Sequence, residues 1–499
     1  MQQQIGNKLS KTLPWAFGYF IVWLILDQLF LKTGLINAHK WLSKFGLLLT
    51  ITFLLFNNRK GLLTLWNQTG SGFNLAVWRI LFFGSILVTG LFFDVEHIKM
   101  ALFSMTHMTL SSRVPLPFWG SITYLIPISE SLSMAAFYIL IISCVFSMIG
   151  LLTQWSILLF TLSAFYLFGV TQLFGKVNHN HYFVWFPAIL AFSGCGDVLS
   201  LDYLVKTRKA KDQFKLPSGK KYGRALASIW LLIGIIYFFP GFHKIWENGF
   251  DWVLSDNFSN IIHLRIFELS SWAQPLPVQN YPILCVILAA FTILFEIGFI
   301  FIITQPKYRL LAVLTGTLFH LGTWLILNIF FQFLLVAYLS FVNWEKVFYG
   351  NKASNFSGMI PQESTSLTKI ALFLLVANSF CGFFNIHTWP VSCFPTFAEQ
   401  PGKKTEALEF VEFSKENTSN TIQLGKFHKI FPTERYRSLE LRAIRLYKES
   451  KTQEFVDLIH SLTKRLNLKN KTAVYLVNIS WKNGTFVRDR GLKPLIYLE

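Results

Sequence analysis

The tetrad Gly241-Phe242-His243-Lys244 concentrates the ionisable chemistry of this chain. It follows on the apolar run Ala225–Phe239, where a membrane helix is expected to end. Charge at that boundary costs free energy unless the group is hydrated, paired or used. An amine held against low-dielectric surroundings can lose its proton near neutral pH and act as a base. Lys244 is therefore the first candidate for catalysis, with His243 beside it. On local grounds alone, a snorkelling lysine at a helix end accounts for the same residues. His181, after Asn180, and His320, inside a later apolar run, add imidazoles suited to holding or polarising a phenolic oxygen near pH 7. A helix-bridging hydrogen bond is the competing reading of both. Arg79, Asp202 and Glu296 are boundary or intramembrane charges and are expected to find structural partners; His179, His263 and His387 read as solvated. Cysteines at 144, 195, 285, 381 and 393 form no CxxC or CxxH, so no metal is expected. Cys381 and Cys393 are near enough in sequence for a disulfide, without any requirement for one.

The elements that must position these groups are membrane helices. Of the 499 residues 53% are hydrophobic and only 14% charged, where a soluble domain carries about a quarter. Fifty-two Phe and sixteen Trp suit a helical bundle with aromatic belts at both interfaces. The net charge of +19 sits largely in loops and tail, which points to membrane lipids as partners and not to nucleic acid. About eleven spans are expected, at Trp15–Leu31, Phe45–Phe56, Leu75–Phe93, Leu132–Leu152, Trp155–Phe174, Tyr182–Cys195, Ala225–Phe239, Tyr281–Thr304, Leu310–Ile329, Phe330–Val347 and Leu367–Phe384. Asp27 breaks the first run and no small-residue cleavage site follows, so it reads as an anchor and not a leader. The basic loop Val205–Arg224 should be cytoplasmic, which puts Lys244 and everything after Asn385 on the extracytoplasmic side. Aromatic segments Val95–Pro117 and Lys244–Asn280 read as interfacial elements. The tail changes to soluble composition, with a helical pattern over Thr433–Leu466 and strand-like alternation over Ala473–Trp481 and Thr485–Leu498. The expected fold is thus an all-α polytopic membrane protein with a small C-terminal α+β extramembrane domain. Its units are a hairpin over 1–69, a core over 70–350, a linker and last helix over 351–387, and a soluble domain over 388–499.

Taken in order, several segments resemble the vitamin K-dependent gamma-carboxylases and their bacterial relatives, the horizontally transferred transmembrane domain (HTTM) proteins. They are Leu75-Ala-Val-Trp-Arg79, Arg113-Val-Pro-Leu-Pro117, Asn180-His181-Tyr182-Phe183, Leu201-Asp202, Gly241-Phe242-His243-Lys244, Glu296-Ile-Gly298 and Phe319-His320. The likeness covers roughly Gly70 to Lys346. It implies an integral protein of a bacterial inner membrane and a lyase-type carboxylase. The family lysine matched by Lys244 deprotonates vitamin K hydroquinone, whose anion reacts with oxygen to give a stronger base. That base removes a γ-proton from a protein glutamate, and the carbanion adds carbon dioxide. Implied with it are a reduced quinone cofactor, oxygen and carbon dioxide as co-substrates, and a partner protein with exposed glutamates. His181 and His320 match family histidines, whereas His243 stands where the family has a second lysine. The alternatives are a quinol- or lipid-modifying enzyme without carboxylation, a transporter, and a non-catalytic membrane scaffold.

Overall fold

The computed structural model describes residues 18–19, 21–89, 118–122, 126–173, 180–210, 216–269, 272–350, 357–358, 364–392, 397–413, 419–422, 424–428, 431, 433–464, 466, 468, 470–482 and 485–498. The Arg113–Pro117 motif, the Val95–Pro117 element, Asn178, His179 and Cys393 lie outside them.

Residues 21–32 (α1) and Ile36–Trp66 (α2) form a hairpin against the bundle. The bundle comprises α3 (Gly72–Thr89), α4 (Glu130–Ile149), α5 (Thr153–Gln172), α6 (Tyr182–Ser193), α7 (Leu201–Ala210) and α8 (Lys220–Asn248). Then come a short turn α9 (Asp251–Leu254), α10 (Asn257–Leu269), α11 (Pro282–Ile302), α12 (Arg309–Leu327), α13 (Gln332–Tyr338) and α14 (Thr365–Phe383). Among the described residues seven helices are long and apolar enough to cross a membrane: α3, α4, α5, α8, α11, α12 with its preceding turn, and α14. The chain is therefore an integral membrane protein. The expectation of about eleven spans counted apolar runs whose breaks hydropathy does not register. Tyr182–Cys195 yields only the 12-residue α6, and Phe330–Val347 splits into α13, a 3-10 turn and the helix Trp344–Tyr349. Phe45–Phe56 is the middle of the 31-residue α2, which goes on through Arg59 and Lys60.

Helix α8 is the axis of the bundle. Its apolar window is 89% buried, against 28% for α11 and α12, so the latter two present most of their surface to lipid. The expected helix end at Gly241–Lys244 is corrected, because α8 runs through Pro240 to Asn248. An interior proline removes one backbone bond, and packed neighbours in membranes commonly compensate. Arg224 near the start of α8 donates to Thr368 near the start of α14, and His243 donates to the Gly382 carbonyl at its end, so the two helices run parallel. Helix α14 thus delivers the C-terminal domain to the Lys244 end. Past Asn248 the chain turns at Gly249, whose φ of +60° and lack of a Cβ are both required: a Cβ would lie 2.5 Å from Ser43 Oγ. The fully buried Asp27 of α1 accepts from Ser43 Oγ and from the Phe250 amide, fastening the hairpin to that turn.

The C-terminal domain is a five-stranded antiparallel sheet. Strand β1 (Lys404–Phe413) pairs with β2 (Ser419–Thr421) on one side and β3 (Thr472–Lys482) on the other, and β3 also takes β4 (Thr485–Arg490) and β5 (Ile496–Leu498). Helices α15 (Thr433–Lys448) and α16 (Thr452–Thr463) pack on it through Leu439, Ile444, Leu458 and Ile459. The helical pattern over Thr433–Leu466 is therefore two helices, and Thr485–Leu498 two strands. Ala407, Val477 and Ile479 rest on Phe267 of α10, where Trp481 Nε1 donates to Asn260 and Arg437 reaches Glu268 at 3.8 Å.

Candidate functional site

Lys244 lies one turn before the end of α8, and its register there is set by Gly241. A Cβ at 241 would stand 2.9 Å from both Glu296 Cβ and Ile297 Cγ1, so only glycine lets α11 come this close. One turn on, the amine meets the Glu296 carboxylate at 2.8 Å and 2.7 Å, one contact to each oxygen. Lys244 is 2% exposed and Glu296 6%, which makes this a desolvated ion pair and not a snorkelling lysine. Glu296 is fourteen residues into α11, roughly 21 Å of helix from its start. The Trp252 ring covers the ammonium at 5.3 Å, within cation–π range.

A cavity of about 150 Å³ begins at the pair and runs between α8, α10, α11 and α12. Tyr237 and Pro240 line it two turns and one turn before Lys244, on the same face of α8. His320 projects into it from α12, with Thr323 and Leu327 on the same face. The Tyr237 hydroxyl lies 2.7 Å from His320 Nε2 and 2.7 Å from the Tyr338 hydroxyl. All three residues are buried, and Tyr237 and His320 line the cavity, which thus offers an ion pair and an imidazole–hydroxyl contact backed by the Tyr338 hydroxyl among apolar walls. Phe291, 37% exposed, and Leu318, 64% exposed, line it between α11 and α12. That side opens to the outer apolar surface of the bundle.

Of the four residues singled out by sequence, Lys244 and His320 share this cavity. His243 and His181 do not line it. His243 points to the other side of α8, with Nε2 donating to Gly382 at 2.8 Å. His181 is buried at the head of α6 between Trp389, 4.7 Å away, and Trp185, 5.5 Å away. Of the charges expected to be paired, Glu296 binds Lys244 itself. Asp202 accepts from the Leu152 and Thr153 amides and the Thr153 hydroxyl, and Arg79 donates to the Leu199 carbonyl. Sequence reasoning missed Tyr237, Tyr338 and Trp252. The i, i+7 spacing of Tyr237 and Lys244 was available as a signal, but it carries weight only if α8 is continuous. Among the described residues no cluster of three or more His, Cys, Asp or Glu could hold a metal.

These features define a polytopic helical membrane protein with a buried lysine–carboxylate pair in a lipid-facing cavity. The chain belongs to the HTTM domain family, which matches residues 67–345 and so includes Tyr237, Lys244, Glu296, His320 and Tyr338. That family is associated with vitamin K-dependent carboxylase-like membrane proteins. No curated protein and no solved structure matches the chain.

Proposed function

We propose that this protein is a gamma-carboxylase-like enzyme of the bacterial inner membrane. On this reading a reduced quinone and oxygen drive carboxylation of glutamate side chains on a partner protein, with Lys244 and the C-terminal domain on the extracytoplasmic side. The observation that carries it is the buried Lys244–Glu296 pair at the head of a lipid-facing cavity shared with His320. The residues present suit a hydroquinone head group. At roughly 30 Å³ per water the cavity takes on the order of five waters, room for an aromatic ring. Its two polar ends, the pair and the Tyr237–His320 contact, match a ring with oxygens on opposite sides.

When bound, the hydroquinone supplies reducing equivalents that let oxygen chemistry generate a base stronger than any side chain. The protein's own task is to take the first proton. An ammonium locked to a carboxylate has no lone pair to offer. Transfer of one proton across the 2.7 Å contact turns the ion pair into neutral amine and acid with no change of net charge, which a low-dielectric site tolerates. The base is then the Lys244–Glu296 pair acting together, the amine accepting the ligand proton and Glu296 holding the one already there. Tyr237, fixed between His320 and Tyr338, would orient the second oxygen. His181 and His243 would act at a distance, His243 by fastening α14 to α8 and His181 by holding the turn at Trp389.

The test uses full-length protein in nanodiscs with vitamin K hydroquinone, oxygen, bicarbonate and a glutamate peptide. Mass spectrometry follows quinone epoxide and carboxylated peptide. Wild type should form both, and Lys244→Ala should lose them by a factor of about 10² or more. Epoxide without carboxylated peptide would favour quinol chemistry uncoupled from carboxylation, and neither product from folded wild type would overturn the proposal.

A further inference from the structure

The cavity has a second boundary, built by residues beyond the matched 67–345 domain. Phe397 lines it, and the Phe397 carbonyl accepts the Trp252 indole N–H at 3.0 Å, so one residue both plugs the cavity and holds the ring that covers Lys244. The following residues run over α8 and α9: Asn248 Nδ2 donates to the Ala398 carbonyl at 2.7 Å, Gln400 donates to Asp251 at 2.9 Å, and Lys403 meets Asp256 at 2.8 Å. One residue later β1 of the C-terminal domain begins. Residues 397–403 are thus a strap laid across the Lys244 end of the cavity.

The ties are unequal. Phe397 and Trp252 form an apolar seal, whereas the Gln400 and Lys403 contacts are exposed, a class of contact that contributes little. Phe397 itself sits at φ +55°, a left-handed conformation that a bulky side chain adopts only under constraint. Exposed, weak ties such as those at 400 and 403 are the signature of a segment that opens locally before its surroundings do. The opposite boundary, between α11 and α12 at Phe291 and Leu318, is apolar and faces lipid.

We propose that the cavity has two entrances that sort reactants by polarity. Apolar ligands enter from the bilayer between α11 and α12, and charged, water-borne reactants reach Lys244 only when the 397–403 strap lifts Phe397 and frees Trp252. Closure of the aqueous entrance thereby belongs to the linker of the C-terminal domain.

Thr292, on the cavity wall one turn before Glu296, provides a reporter as Thr292→Cys. Full-length protein in nanodiscs is labelled with a charged methanethiosulfonate or with an apolar maleimide, and the Thr292 parent gives the background from native cysteines. Two strap changes are compared in the reporter: Phe397→Gly, and Gln400→Ala with Lys403→Ala. The second leaves the packed seal intact and keeps the test alive if the first misfolds. The charged reagent should be slow in the reporter alone and rise by about tenfold with Phe397→Gly, which removes the packed seal, and by about two- to fivefold with the exposed pair, whose ties are weaker. The apolar reagent should label at the same rate throughout. Equal charged labelling with and without the strap changes, whether fast or slow, would overturn the gate. So would a matching rise with the apolar reagent, which marks general loosening. Labelling needs no turnover, so the result is independent of the quinone assay.

Discussion

The Lys244–Glu296 pair makes the sharpest prediction, because its two residues should be individually costly and jointly dispensable for folding. Both side chains are buried and make two contacts of 2.7–2.8 Å. Removing one partner leaves an uncompensated group in low dielectric, which costs about 3–5 kcal/mol, whereas replacing both by apolar side chains is neutral or stabilising by about 1–4 kcal/mol. The orphaned carboxyl of Lys244→Met can neutralise itself by binding a proton, so that variant should sit at the lower end of the range. Orphaned Lys244 in Glu296→Leu keeps the Trp252 ring, which offsets on the order of 1–2 kcal/mol of its loss. Each single variant should therefore lose about 2–5 kcal/mol, and the double variant should return to within about 1 kcal/mol of wild type. Reversible unfolding in mixed micelles with increasing dodecyl sulfate, followed by tryptophan fluorescence, gives all four values. Singles within about 0.5 kcal/mol of wild type would mean that the pair is hydrated or unformed. A double variant as unstable as the sum of the singles would mean that the two side chains do not interact. In either case the shared-proton base loses its footing. A double variant that folds well and makes no epoxide would place the pair among residues kept for chemistry at no benefit to stability.

Gly241→Ala brings a Cβ to 2.9 Å from Glu296 Cβ and Ile297 Cγ1, so α11 must move out. Overpacking of this kind costs about 1–3 kcal/mol in the same unfolding assay, and it should lower epoxide formation more than stability because the pair is pulled apart. Asp202, outside the membrane spans, gives a pH signature. Burial pushes its carboxyl up, but hydrogen bonds from the Thr153 amide and hydroxyl and the Leu152 amide, with Arg79 nearby, outweigh burial and hold it below the ordinary range. A depressed folded value means that the stabilisation is present above the unfolded carboxylate value of about 4 and is lost as pH falls through the folded one. Asp202→Ala, which uncaps α5, should cost on the order of 1 kcal/mol near neutral pH and flatten that acid-side fall in an unfolding series from pH 6 to about 3.

The parts of this arrangement legible in the sequence are those that depend on local pattern. Lys244 drew attention because an amine directly after an apolar run is costly, and His320 because it stands inside one. The family resemblance placed both in a core that the HTTM match of residues 67–345 bears out. What stayed hidden was tertiary. Pro240 and Gly241 read as a helix end, and with the helix ended there Tyr237 and Lys244 had no common face. The glycine instead marks close approach by α11, a role that needs a partner no single sequence displays. Glu296 was expected to be paired, but its partner is 52 residues away in the chain. Hydropathy also joined residues that the structure folds as separate short pieces, since it sums apolarity without seeing breaks such as the 3-10 turn inside Phe330–Val347.

The division of labour across the 67–345 boundary follows from the same contacts. Every ionisable group of the cavity lies inside the matched domain, and these groups alone set the chemistry available. What holds them together at the Lys244 end comes partly from outside it. Asp27 fixes the Phe250 amide, two residues from Trp252, and Phe397 takes the Trp252 indole from the other side. Trp252 is therefore suspended between the N-terminal hairpin and the linker to the C-terminal domain, with the Lys244 ammonium beneath it. A ring held from both flanks responds to movement of either, whereas Glu296, rooted in α11, does not. The flanking segments can thus alter how the lysine is covered without altering what it is bonded to.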